Sequence, residues 1–146
     1  MIDLKEYREY FEGMTLLTHG IGSMKLVNVA EDMSDTLKNI RKDDLPVLFV
    51  VVPAARESAD SEPDNIEEVN DCLVFLMDRA DAQRQTALQT LERLHPLMEH
   101  LKAHLRTDAR MACHWLHGLH GMATMPETGF YTNYAGWSLS FKVDTE

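Results

Sequence analysis

The ten residues Ala112 to Gly121 read ACHWLHGLHG, so Cys113, His114, His117 and His120 fall within a span short enough to raise a metal centre or a nucleophile with its base. The spacing opposes one ion held by all three imidazoles. On an α-helix, residues three apart lie about 60° from each other around the axis, which leaves His114 and His120 about 120° and roughly 9 Å apart. On a strand, His117 faces away from the other two. A 3-10 turn would align them, but such turns rarely run so long. Cys113 beside His114 is the one tempting nucleophile and base, and sequence neighbours point apart in regular structure.

His100 and His104 are four apart, face together on a helix and would be the other contributors to a composite site. Their segment reads HLKAH, without the glutamate of the HExxH signature. They fall beside the apolar face drawn by the neighbouring leucines, as partly solvated side chains do. Other constellations are weaker. DSEPDNIEEVND, residues 60–71, has acids at its first, third and fifth positions, yet Asn65 stands where a calcium loop needs Gly, Pro63 stiffens the middle and Asp71 replaces the bidentate Glu. HGIGSMK, residues 19–25, lacks the spacing and the GK[ST] ending of a P-loop. No GxSxG elbow occurs. The aromatic residues Phe130, Tyr131, Tyr134 and Trp137 read as core and loop packing, with a protein interface as the functional alternative. No catalytic, cofactor-binding or metal-ligating residue is assigned on these grounds, and no cofactor is expected. The competing expectation is a small metal-binding or hydrolytic enzyme using the segment 113–120.

These residues must be positioned by recognisable elements. Leu4, Tyr7, Tyr10 and Phe11 predict an amphipathic helix ending near Gly13. MKLVNV is either a short strand or the lead-in to a helix. Met33, Leu37 and Ile40 predict a second helix from about Ala30 to Arg41, stopped by Pro46. VLFVVV, residues 47–52, is a buried strand between two prolines. CLVFLM, residues 72–77, is a second, and the two are expected to pair as an antiparallel hairpin. Between them, residues 54–71 hold seven acids against Arg56 alone, carrying −6 of the chain's −10, and read as a long exposed loop. Leu88, Leu91, Leu94, Met98, Leu101 and Leu105 predict the longest helix, from about Asp81 to Arg106, with Pro96 bending or splitting it near Leu94 to His95. MPETGFYTN reads as a loop. GWSLSFKVD alternates strictly and predicts a half-buried antiparallel strand.

The whole chain of 146 residues is expected to form one α+β domain: an antiparallel sheet of three to four strands packed against the long helix, with helices at the N-terminus. A net charge of −10 repels phosphate backbones, so nucleic acid is not an expected partner. The densest basic stretch holds only Lys38, Arg41 and Lys42 before Asp43 and Asp44, and reads as a solvated helix end. Apolar runs of about six residues fall well short of the roughly twenty that cross a bilayer. MIDLKEYREY carries charges where a secretory signal has an apolar run, and Cys72 and Cys113 form no CxxC, so reduced thiols in a cytoplasmic setting are expected.

The hairpin of VLFVVV and CLVFLM, the leucine-rich helix after it and the closing strand YAGWSLSFKV together resemble, in element order, the neck and tail-completion proteins of tailed bacteriophages, in particular tail-terminator-like folds. The resemblance implies a non-enzymatic structural protein, found in the cytoplasm or the virion, that forms rings through exposed loops and sheet edges. Its implied partners are other protein subunits, copies of itself included. An acidic adaptor that binds a basic protein through residues 54–71 is a third expectation.

Overall fold

The computed structural model describes residues 1–28, 30–58, 66–80, 86–111, 115–130 and 133–145. Helix α1, Leu4–Leu17, starts at Asp3, whose carboxylate accepts the Glu6 N–H at 2.9 Å. It runs through Gly13 instead of ending there, because Met14 joins Tyr7 and Phe11 on the buried side. That burial outweighs the roughly 1 kcal/mol a mid-helix glycine costs. Strand β1, Ser23–Val27, resolves the choice left open at MKLVNV. Helix α2, Ala30–Lys38, and a 3-10 turn, Lys42–Asp44, lead into strand β2, Val47–Glu57.

Strand β3, Glu68–Arg79, is followed by helix α3, Ala87–Arg110, then β4, His120–Phe130, and β5, Tyr134–Thr145. The five strands form one sheet in the order β1-β2-β3-β5-β4. It is mixed, not antiparallel throughout. β1 pairs with β2 in parallel, Ser23 opposite Val47 and Val27 opposite Val51, because the chain crosses over through α2 and returns in the same direction. The other three pairings are antiparallel, including the expected β2–β3 hairpin.

Burial on both faces explains the unbroken apolar runs. Leu48, Val50, Cys72, Val74 and Leu76 pack toward α1 and α3, together with Phe11, Leu94, Met98 and Leu101. Val47, Phe49 and Met77 face the other way, against Met33 and Leu37 of α2. Both legs of the hairpin outrun those apolar cores. β2 passes Pro53 at a bulge between Val51 and Ala54 and continues to Glu57, and β3 begins at Glu68. Proline is tolerated there because a bulge leaves a residue out of the ladder. The expected loop over residues 54–71 is therefore strand at both ends, with Arg56 paired to Asp71 at 3.3 Å across the ladder. Residues 59–65 lie outside the described residues.

Pro96 does not split α3, which is one continuous helix of 24 residues. A reciprocal cap starts it, with Thr86 Oγ1 accepting from Gln89 N–H and Gln89 Oε1 from Thr86 N–H. Leu91 and Leu94 before the proline and Met98, Leu101 and Leu105 after it bury one face against the sheet, which holds the helix together where one backbone donor is missing. Leu88, placed on that face by its spacing, is 65% exposed. MPETGF is the latter half of β4 instead of a loop, since an edge strand accepts proline and glycine that an interior strand would not.

Candidate functional site

Trp115 and Leu116, in the middle of the histidine-rich segment, are buried anchors. The Trp115 ring lies 5.0 Å from Tyr7 and 5.2 Å from Tyr10, both in edge-on contact. With that indole fixed against α1, the chain turns through Gly118 at φ 60 and enters β4 at His120. That positive φ favours glycine, and a Cβ at position 118 would also press 2.7 Å from the Asp144 carboxylate and displace it.

The two described histidines of the segment take up separate tasks. His117 lines an open cleft of about 900 Å³ with Ile2, Asp3, Glu6, Glu67 and Asp144. His120 Nδ1 lies 2.6 Å from the Gly118 carbonyl, and because a carbonyl only accepts, that nitrogen carries the proton. The same nitrogen is 4.0 Å from Asp144. One imidazole thus meets solvent and the other ties down its own turn. Cys113 and His114 lie outside the described residues. Among the described residues no three His, Cys, Asp or Glu side chains stand where they could share a metal ion.

Cys72 is unsuited to attack. It is 2% exposed, and burial pushes its thiol up to about 12. Burial likewise raises the Tyr7 hydroxyl well above its ordinary 10.0, with the Cys72 thiol as a further cause. The HGIGSMK turn has committed its backbone donors: Ile21 N–H to Thr18 O and Gly22 N–H to Pro46 O. Of the aromatic group, Tyr134 is buried and donates to the Leu37 carbonyl at 3.3 Å, and Trp137 Nε1 donates to the Leu91 carbonyl at 3.0 Å. Both act in packing. The side chain of Phe130 and all of Tyr131 lie outside what is described.

His100 and His104 do stand together on α3, with ring centroids 6.2 Å apart. His104 Nε2 reaches Asp108 Oδ2 at 3.3 Å, and Tyr10 of α1 donates its hydroxyl to the same oxygen at 2.6 Å. Asp108 and Tyr10 were not singled out by sequence reasoning. The i,i+4 step from His104 to Asp108 was a readable signal, whereas the Tyr10 contact joins residues 98 positions apart.

The remaining surface of functional interest is the sheet itself. It is open at both ends, and β4 forms the outer edge on one side. Of the residues 120–130, only Glu127 is charged at neutral pH, and its carboxylate accepts from Ser138 Oγ at 3.0 Å. Met125 is 60% exposed and, through the register Met125–Ser138–Phe75, stands on the face that α2 covers at the opposite end of the sheet. The β1 end borders a groove of about 400 Å³ between Arg8 and Glu12 of α1 and Asp32 and Asp35 of α2. No helix among the described residues is long and apolar enough to cross a membrane. No protein-family model matches the chain, and no curated protein matches its sequence.

Proposed function

We propose that this chain is a non-enzymatic assembly protein that joins copies of itself, and other subunits, through the open ends of its sheet, as a neck or tail-completion component of a phage or prophage would. The observation that carries this reading is β4: an eleven-residue edge strand with one charged side chain in a chain of net charge −10. Unpaired strand edges template pairing with another chain unless charge or cover blocks them. In so acidic a molecule most surfaces repel a second copy, whereas β4 offers an outer sheet edge with a single acid and an exposed methionine on it. Element order adds the phage association by resemblance.

The test is native mass as a function of protein concentration, read by sedimentation or mass photometry. The wild-type chain should shift from monomer to a defined oligomer. Met125→Lys places a charge on an exposed side chain, leaves the core untouched and should hold the protein monomeric. A wild-type chain that stays monomeric up to several hundred micromolar defeats the reading, as does assembly that ignores Met125→Lys.

A further inference from the structure

We propose that α3 carries a two-histidine site for a divalent first-row transition ion such as Zn2+ or Ni2+, with His100 and His104 as its protein ligands and Asp108 and Tyr10 as positioning residues.

The two imidazoles project from positions one turn apart on the same helix and are tilted 33° to one another, with centroids 6.2 Å apart. Metal–nitrogen bonds of about 2 Å on either side set two ligating nitrogens up to roughly 4 Å apart. Chelation requires ring rotation that brings one nitrogen of each within that distance. Both rings are reachable: His100 is exposed and the His104 side chain is 33% exposed.

What separates this pair from any two surface histidines is the contact behind His104. Asp108 Oδ2 lies 3.3 Å from His104 Nε2; in the proposed site Nε2–H donates to this carboxylate, which leaves the Nδ1 lone pair for the ion. That oxygen also accepts the Tyr10 hydroxyl at 2.6 Å. The carboxylate is thus held from two helices, α1 and α3. A carboxylate behind a ligating histidine fixes tautomer and ring orientation and makes the free nitrogen more basic. Lys102 is two residues from each histidine, off their face of the helix, and its ammonium is engaged by Glu99 at 3.1 Å.

Imidazole donors select zinc, copper and nickel over calcium and magnesium. With two protein ligands the ion keeps water in its other positions, so the site is exchangeable and not a closed structural centre.

Titration of the intact purified chain with ZnSO4 or NiCl2 by calorimetry, alongside histidine-selective long-range 15N NMR, tests the site. Before metal, His104 should appear as the Nε2–H tautomer, and Zn2+ should then shift Nδ1 of His104 and one nitrogen of His100. His100→Ala and His104→Ala should each abolish the transition. Asp108→Asn should weaken it by about 10–100-fold and disturb the His104 tautomer. Circular dichroism on each variant separates lost binding from lost fold. The site is overturned if MgCl2 produces the same shifts, if Zn2+ leaves both imidazoles unshifted, or if binding survives the His100/His104 double variant and disappears on substituting His114 or His117. None of these outcomes alters self-association through β4.

Discussion

The Cys72 thiol and the Tyr7 hydroxyl share the interior between the sheet and α1, and burial is the largest cause of the raised pKa of each. A raised folded-state value for a group that ionises to an anion means that the native protein binds more protons than the unfolded chain once pH exceeds the ordinary value of 9.0 for Cys72. The thiol's contribution to stability is therefore intact below about pH 9 and is lost progressively toward about 12. Urea midpoints measured from pH 7 to 11 should fall across the upper part of that range, and less steeply in Cys72→Ala. In a Cys113→Ser background, a thiol reagent at pH 8 should label Cys72 only after unfolding. At this scale the histidines were legible as residue types, and a step of three opposed their sharing one ion. The partners of each were not. His120 bonds a carbonyl two residues away, while Asp108 is shared with Tyr10 from a helix 98 positions earlier.

Two glycines inside regular elements make opposite predictions about what a methyl group would do. Gly136 lies in the central β3–β5 pairing, opposite Met77, where a Cβ would sit 1.8 Å from the Leu76 carbonyl oxygen. Gly136→Ala should lower stability by about 1–3 kcal/mol, the usual cost of overpacking, or prevent folding. Gly13 in α1 has nothing within 4 Å of such a Cβ, so Gly13→Ala should raise stability by roughly 0.5–1 kcal/mol. Denaturant titration of the two variants checks both signs. Long apolar periods made the elements recognisable: Leu91 to Leu105 mark α3, and Trp137 to Val143 mark β5, because one-sided burial imprints its period on the side chains. β4 escaped because its apolar residues, Met122, Ala123, Met125 and Phe130, follow no two-residue period, and its Pro126 and Gly129 belong to the turn vocabulary. An edge strand with one partner and one open side tolerates such residues.

For the molecule as a whole, charge gives a test that separates self-assembly from capture of a basic partner. Copies of a chain at −10 repel one another, so raising salt from about 50 mM to 500 mM screens that repulsion and should strengthen association through β4. Binding of a basic protein to the acidic segment would weaken over the same range. Sedimentation at the two ionic strengths distinguishes the signs. What the amino-acid order determined alone was local: which stretches are helical, which are strands buried on both faces, and an α+β composition with surplus negative charge. These follow from side-chain period and from turn residues acting over a few positions. Only the tertiary structure decided that β1 lies parallel to β2, that β5 is inserted between β3 and β4, and that Tyr10 reaches Asp108. Strand order and side-chain meetings depend on packing between segments distant in the chain, and no local pattern records which pairing buries the most apolar surface.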